Sequence, residues 1–191
     1  MTQQFSFGPG VEIRGQSVES FLVATDLQTA VMTGILVKSG FPRRVVATDW
    51  YSGQRWIEAL WRIAASIGEN TLLAIGKRIP ASAAWPEEIR TIEAGLASID
   101  VAYHMNHRID GELLFDPATG VMKEGIGHYH CEVTGRRRAV MVVSSPYPSE
   151  MDRGIIITIA RKFQPAADVV LDESQPSRKR GGVSCTYIVT W

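Results

Sequence analysis

The spacing of the apolar residues changes near residue 110, and this change constrains the fold more than any other feature of the sequence. Before it, apolar residues recur at helical intervals: Trp56, Leu60, Ile63 and Ile67 are separated by 4, 3 and 4 positions. After it, short runs rich in β-branched residues are separated by turn residues. Helices followed by strands predict an α+β fold with a mostly antiparallel sheet.

Four helices are predicted in the first half. The first is a stripe from Val18 to Val37, and two more cover residues 51–67 and 69–79, with Asn70 as the candidate cap of the third. The fourth begins at Pro86, with two acidic residues in its first turn. Its apolar face repeats at helical spacing through Ile89, Ile92, Leu96, Ile99 and Tyr103.

The second half is predicted to contain two hairpins, one helix and two final strands. The hairpins cover residues 111–127, around the turn DPATG, and 128–145, around Thr134 and Gly135. The helix runs to about Phe163, with Ser149 as its cap and Asp152 at the capping-box position. The final strands are residues 167–174 and 184–191. One domain is therefore expected over residues 1–191, with a helical part at about 17–107 and a sheet-rich part at about 111–191.

Charge and hydropathy exclude several classes of protein. Among the 191 residues, 20 basic side chains balance 20 acidic ones, which argues against nucleic acid and anionic membranes as partners. The basic run SRKRGG (177–182) is interpreted as a solvated turn. The sequence contains no run of about 18 apolar residues, which is the pattern that predicts a membrane span. The first residues do not have the pattern of a signal peptide, and two cysteines do not make a disulfide scaffold, so a cytoplasmic protein is expected.

The four histidines form two close pairs in the sequence. His128 and His130 alternate along a predicted strand and would share one face, and His104 and His107 would be neighbours if the helix continues to residue 107. Two such pairs could supply a tetrahedral zinc site, with second-shell partners such as Asp100 or Glu132. An interpretation in which the histidines have only structural roles is favoured over a zinc site. In it, His104 pairs with Asp100, His107 satisfies a carbonyl at the helix end, and the strand pair faces solvent.

No pattern requires an enzyme. Cys131 is predicted to be too buried to act as a nucleophile, and Ser144 and Ser145 lack the strand–turn–helix elbow of a hydrolase serine. Gly8, Gly10 and Gly15 follow no strand and make no dinucleotide-binding fingerprint.

Two segments near the C-terminus carry a family resemblance. SSPYPSEMDRGIIITIARKF (144–163) and DVVLDESQPSRKRGGVSCTYIVTW (168–191) resemble the 4-vinyl reductase-like domains, with Glu173, Cys185 and Tyr187 at matching positions. Relatives of that fold include haem-based nitric oxide sensors and subunits of vesicle-tethering particles. The resemblance implies a helical layer on an antiparallel sheet with an apolar cavity between them. Its helical wall would be formed by Trp56, Leu60, Ile89, Ile92, Leu96 and Ile99.

The sequence departs from the haem sensors at one motif. Those proteins carry Tyr-x-Ser-x-Arg as a clamp for the haem carboxylates. Here Tyr147, Pro148 and Ser149 match its start, but Met151 stands at the position of the arginine, and the arginine comes late, at Arg153. This departure argues against haem, although His104 or His107 could still ligate iron. The cofactor that the sequence suggests is instead zinc or iron at the histidines. The two cysteines are too few for the cysteine-rich metal site of some relatives.

The function predicted from these features is non-enzymatic binding or sensing of a small hydrophobic molecule, such as a tetrapyrrole or a lipid. The predicted polar lining of the site is His104, Asn106, His107, His128, His130 and Tyr147. One alternative is a metal-binding protein or metalloenzyme that uses His104, His107, His128 and His130. Another is an assembly module that forms a homodimer. The candidate dimer face is Trp50, Tyr51, Trp56 and Trp85, with core packing favoured for Trp56 and Trp85.

Overall fold

The computed structural model describes residues 6–24, 29–80 and 85–191 of the chain, and six helices and eight strands are assigned in these ranges. The helices are α1 (Gly15–Ala24), α2 (Thr29–Lys38), α3 (Gly53–Ile67), α4 (Glu69–Arg78), α5 (Ile92–Met105) and α6 (Ser149–Phe163). The strands are β1 (Val11–Arg14), β2 (Trp50–Ser52), β3 (His107–Ile109), β4 (Glu112–Leu113), β5 (Tyr129–Gly135), β6 (Arg138–Val143), β7 (Asp168–Leu171) and β8 (Cys185–Thr190). A short 3₁₀ turn covers Arg178–Arg180.

The strands form two antiparallel sheets of four strands each. The small sheet has the order β2-β1-β3-β4, and the large sheet has the order β5-β6-β8-β7. The predicted α+β class with a mostly antiparallel sheet is confirmed. Among the described residues, none of the helices combines the length and the apolarity that a membrane crossing requires.

Helices α4, α5 and α6 hold the helical part against the large sheet. Helices α4 and α6 approach each other at two glycines: a Cβ atom on Gly76 would lie 2.2 Å from the carbonyl oxygen of Met151, and one on Gly154 would lie 2.4 Å from that of Leu73. Only residues without a side chain allow backbones to approach so closely. Helix α5 packs against both α6 and β5.

The residues predicted to form the helical wall of a cavity are mostly core residues, and none of them lines either of the two clefts described below. Trp56, Leu60, Ile92, Leu96 and Ile99 are all buried in the core. Ile89 is only half-buried and precedes α5. That helix begins at Ile92 rather than at Pro86, because the Thr91 hydroxyl accepts a hydrogen bond from the N–H of Ala94 at 3.2 Å and caps it.

The span predicted as one helix from Val18 to Val37 is covered by α1 and α2, and its continuity falls on residues 25–28, which lie outside the described residues. Several other predicted boundaries are wrong. Gly68 rather than Asn70 is the N-cap of α4. Pro148 precedes α6, and Ser149 is its first residue without capping it. The turn of the second hairpin falls at residues 136–137, with a bulge between Val133 and Gly135.

The predicted aromatic dimer face is not one surface. Trp56 is 1% exposed and belongs to the core, as favoured from the sequence. Trp85 packs edge-on against Phe163. Trp50 lies under the guanidinium of Arg108, whose central carbon is 4.6 Å from the ring centroid. The three tryptophans thus contact different parts of the fold.

Candidate functional site

A cluster of aromatic side chains lies between the helices and the large sheet. Its centre is Tyr103 on α5, whose ring centroid is 4.7 Å from that of His107, 5.2 Å from Tyr129 and 5.7 Å from Tyr147. Phe7 closes one side, with centroids 5.3 Å from His107 and 5.8 Å from Tyr147. All five side chains are buried. Residues from four separate segments of the chain thus form one interior.

His107 is held in this cluster by two hydrogen bonds. Its Nδ1 lies 2.7 Å from the carbonyl oxygen of Tyr103, which can only accept, so Nδ1 carries the proton. Its Nε2 therefore accepts a hydrogen bond from the Tyr147 hydroxyl at 2.8 Å. Burial lowers the pKa of His107 to about 4, and burial also raises the pKa of Tyr147. The carbonyl contact expected from the sequence is confirmed, although His107 begins β3 rather than ending the helix.

His104 occupies a second position, at the last turn of α5. Its side chain is fully buried, and its Nδ1 lies 2.8 Å from the carbonyl oxygen of Asp100 and 3.4 Å from Oδ1 of the same residue. Both atoms accept hydrogen bonds, so the proton resides on Nδ1. Its Nε2 is buried and has no hydrogen-bond partner among the described residues. The pairing with Asp100 that the sequence predicts is confirmed, and the structure adds that the imidazole in it is fully buried.

His128 joins Asp100 from the start of the large sheet. Its Nδ1 is 2.9 Å from Oδ2 of Asp100, its Nε2 is 2.9 Å from Oε2 of Glu124, and its ring stacks on that of His104 with centroids 4.8 Å apart. Hydrogen bonds to Asp100 and then Glu124 raise the pKa of His128. Burial acts to raise the pKa of Asp100, but hydrogen bonds from His104, His128 and the Tyr129 N–H outweigh it and lower that pKa to about 2.

Gly127 approaches the backbone of Ser144 closely, and this approach positions His128 beside α5. With φ of 77°, this glycine adopts a left-handed conformation, and a Cβ atom would lie 2.4 Å from the carbonyl oxygen of Ser144. The chain can therefore turn immediately before β5, and His128 points to α5 instead of lying within the strand.

The structure does not bring the four histidines together. His130 is exposed and lies on the outer face of β5, opposite to the face of buried Tyr129, while His107 is bound to Tyr147. The predicted shared face of His128 and His130 is wrong, because His128 precedes the strand. Atoms of Asp100, His104 and His128 do lie within 4.8 Å of one another, but these groups are hydrogen-bonded among themselves.

Asn106, predicted to line the site, has a structural role. It is the C-cap of α5. Its side-chain N–H donates to the carbonyl oxygen of Ala102 at 2.8 Å, and its Oδ1 accepts from the Ser17 hydroxyl at 3.0 Å. The N–H end of the amide is bound within α5 and the oxygen end reaches α1, so the side chain joins the two helices.

The residues at and beside the positions of the haem-sensor clamp are bound within the chain. Tyr147 donates to His107, Met151 is buried against α4, and Nε of Arg153 donates to the carbonyl oxygen of Val169 at 3.1 Å. The Ser149 carbonyl accepts a hydrogen bond from Tyr187 at 2.7 Å. Arg153 therefore does not replace the arginine of the haem-sensor motif.

Sequence reasoning missed a buried ion pair between Asp152 and Arg178. Both side chains have no exposed surface. The guanidinium donates to this carboxylate and, at 2.9 Å each, to the carbonyl oxygens of Val143 and Ser145, and Tyr129 donates its hydroxyl to Asp152. The SRKRGG run is thus not wholly a solvated turn. The only feature of the sequence that could have indicated the buried pair was an arginine close to glycines, and this pattern is equally typical of exposed turns.

An open cleft leads toward the aromatic cluster. It has a volume of about 260 Å³, and Phe7, Ile126, Pro146 and Val183 form its apolar lining. The carbonyl oxygen of Ile126 accepts a hydrogen bond from the buried Tyr103 hydroxyl at 2.7 Å. A second open cleft, of about 350 Å³, has a charged lining that includes Asp110, Glu112 and Lys123. His104 lines neither of these two clefts.

The fold matches solved structures of H-NOX domains. An Fe(II) unliganded H-NOX mutant from K. algicida aligns with a TM-score of 0.62 and 15% identity, over 93% of this chain and 96% of that one. An H-NOX protein from S. oneidensis in the Fe(II)NO state aligns at 0.64 and 12%, over 93% and 98%. A structure from a study of haem distortion in the H-NOX family aligns at 0.66 and 13%, over 94% and 95%. No family model and no curated protein matches the sequence.

These matches correct the cofactor prediction. The sequence argued against haem and suggested zinc or iron at the histidine cluster, but solved domains with this fold were studied as haem proteins. The 4-vinyl reductase-like assignment is not confirmed, whereas the haem-sensor relatives that accompanied it are the ones that match. At 12–15% identity the comparisons establish the architecture: this chain has the fold of the H-NOX domains.

Proposed function

We propose that the chain is a small-molecule-sensing domain that binds haem, with Nε2 of His104 as the ligand of the iron. The haem iron would supply the binding position for a small diatomic molecule, as in the Fe(II)NO state solved for the S. oneidensis domain. The remaining task of the protein is to bind and orient this group and to keep water from it.

The observation that carries the proposal is the unpartnered nitrogen of His104. A buried imidazole nitrogen without a hydrogen bond is costly, and such atoms are rare in folded proteins. With its proton on Nδ1, His104 carries its lone pair on Nε2, which is the arrangement that a metal-binding histidine needs. His107 cannot take this role without losing its hydrogen bond from Tyr147.

The interior around the site is filled by rings, so a porphyrin needs space that side-chain movement must provide. Tyr103, His107 and Tyr147 contact one another at centroid distances of 4.7–6.0 Å, and Phe7 separates them from the apolar cleft. Phe7 lies outside any helix or strand, so its movement would disturb no backbone ladder. The donor atom therefore fits the group, and the room for it depends on displacement of these rings.

The test is haem titration of the purified chain, followed by its Soret absorption. We expect one haem per chain, loss of the histidine-ligated spectrum in His104→Gly, and recovery of that spectrum on addition of imidazole. Phe7→Ala should take up haem faster than the wild type.

His130→Ala is the matched control, because this histidine is exposed on the far face of the large sheet. Its spectrum should equal that of the wild type. Absence of stoichiometric haem in the wild type, or an identical spectrum in His104→Gly without imidazole, would overturn the proposal.

A further inference from the structure

The outer face of the large sheet has an apolar centre. Side chains alternate along β6 and β8 between the core and this outer face. Four apolar side chains on the outer face are exposed or half-buried: Val140, Val142, Val170 and Ile188. They form one patch, because Ile188 pairs with Val140 on one side and with Val170 on the other. A sheet face in contact with water is ordinarily polar, so this patch is typical of a surface that a partner covers.

Charged side chains border one end of the patch, with opposite signs on its two sides. Beside the turn between β5 and β6 lie three exposed arginines, Arg136, Arg137 and Arg138. Exposed Asp168 begins β7 at the same level, because Arg138 and Asp168 both pair with Thr190 of β8 between them. Their backbones are therefore two strand spacings apart, which is about 10 Å. The end of the face is basic on the β6 side and acidic on the β7 side.

We propose that this outer face binds a second copy of the chain, in a symmetric dimer whose two-fold axis lies between the two sheets and runs parallel to their strands. Such an axis places β6 of one copy over β8 of the other, so that Val140 faces Ile188 of the partner subunit at the centre. It also brings Arg138 of each copy to Asp168 of the partner subunit. This proposal does not depend on the ligand of the domain.

The distribution of charge selects this axis over the alternative. A two-fold axis that runs across the strands would place Asp168 over Asp172 of the partner subunit, because these residues lie at opposite ends of β7. It would also place Arg138 over Val142 of the partner subunit, at the other end of β6. Like charges that face each other are unfavourable, whereas the parallel axis pairs opposite charges twice. Glu132 and His130 of β5 are exposed and lie at the rim, where side chains keep access to water.

The size of the face predicts a weak dimer. Strands β6 and β8 have six residues each, so four strands cover roughly 20 Å by 20 Å, or about 400 Å² per copy. A standard interface buries about 800 Å² per partner. The expected dissociation constant is therefore on the order of micromolar or weaker. Because exposed charges contribute to the contact, salt should weaken it further.

The test is sedimentation equilibrium of the full chain at low salt, over concentrations from about 10 μM to about 1 mM, where an interface of this size dissociates. Arg138→Glu and Asp168→Lys should each raise the dissociation constant about tenfold, because each replaces two attractions in the dimer by two repulsions. The double variant should return to within about threefold of the wild type, since it restores both pairs with their signs exchanged. Arg62→Glu is the matched control. It makes the same change of net charge as Arg138→Glu at an exposed position of α3, and should leave the dissociation constant unchanged.

A second readout locates the contact. In a dilution series of the wild type, amide chemical shifts of Val140, Val142, Val170 and Ile188 should change with concentration, while those of α3 stay constant. Circular dichroism confirms that each variant is folded, which is expected because the exchanged side chains are exposed. A chain that remains monomeric over the whole range would overturn the proposal. Association that neither single variant weakens, or that the double variant does not restore, would overturn it as well.

Discussion

Tyr147 donates its hydroxyl hydrogen to Nε2 of His107 at 2.8 Å, and this bond joins the turn before α6 to the start of β3. The two residues are 40 positions apart in the sequence. Because the other nitrogen of His107 is bound to the Tyr103 carbonyl, this imidazole has its full set of partners only as the neutral form. Two predictions follow because both ring nitrogens of His107 are hydrogen-bonded.

The first concerns acid stability. In the folded protein, burial lowers the pKa of His107 to about 4, against 6.5 for the free side chain. Its contribution to the free energy of unfolding is therefore complete above pH 6.5 and is lost as the pH falls toward 4. The difference corresponds to about 3 kcal/mol at most. We expect His107→Asn to remove this part of the pH dependence, as measured by urea unfolding between pH 7 and 4. His130→Ala should keep the wild-type slope, and an unchanged slope in His107→Asn would contradict the assignment.

The second concerns the hydroxyl of Tyr147. Tyr147→Phe leaves Nε2 of His107 buried without a donor, which should lower the free energy of unfolding by about 1–3 kcal/mol. Tyr51→Phe is the control. Its hydroxyl accepts from the N–H of Val46, an exposed residue whose N–H can turn to water, so its loss should be smaller. Chemical denaturation of the three proteins at pH 7 measures both effects, and equal losses would argue against the buried bond.

The buried pair of Asp152 and Arg178 should be sensitive to removal of either partner. Arg178→Met leaves the carboxylate buried without its counter-charge, and we expect a loss of about 3–5 kcal/mol in the free energy of unfolding. The double variant with Asp152→Asn should recover part of that loss. Lys123→Met, which breaks the exposed pair with Glu112, should have a much smaller effect. Additive losses in the double variant would show that the two side chains are not coupled.

Two helical glycines should respond in opposite directions to the same substitution. Gly76→Ala places a methyl group 2.2 Å from the Met151 carbonyl oxygen, so α4 and α6 must separate, at a cost of about 1–3 kcal/mol. Gly34→Ala, at an exposed position of α2, meets no atom within 4 Å and should stabilise the chain by about 0.5–1 kcal/mol. Thermal unfolding of both variants measures the signs, and destabilisation by Gly34→Ala would contradict the second one.

The apolar periodicity of the long elements could be recognised from sequence, and that of the short ones could not. The stripe of α5 was placed correctly because 14 residues contain several helical repeats. Its start was misplaced because Pro86 is a typical first-turn residue and Thr91 a typical N-cap, and only the hydroxyl contact of Thr91 decides between them. Strands β2 and β3 have three residues each, too few to show alternation, so the small sheet was not predicted.

Of the six residues predicted to line the site, His104, His107, His128 and Tyr147 lie in or beside the interior. Asn106 instead caps α5, and His130 is exposed. Which of them meet depends on Gly127, whose left-handed turn moves His128 off the strand, and on Asn106, which ends α5 before His107. The partner of Asp152 is 26 residues away and belongs to a run of basic residues that is ordinary in solvent, so no spacing rule could identify it.

The order in which the small sheet can assemble follows from its sequence positions. Strand β1 begins at Val11, and its partner β3 spans His107–Ile109, with five helices and β2 between them. A chain growing on the ribosome therefore carries one edge of β1 unpaired until residue 109 has emerged. Unpaired edges invite association with other chains, and charged side chains discourage it. Glu12 and Arg14 supply such charges on a four-residue strand, and Arg108, which pairs with Glu12 at 2.6 Å, arrives on the strand that ends the exposure.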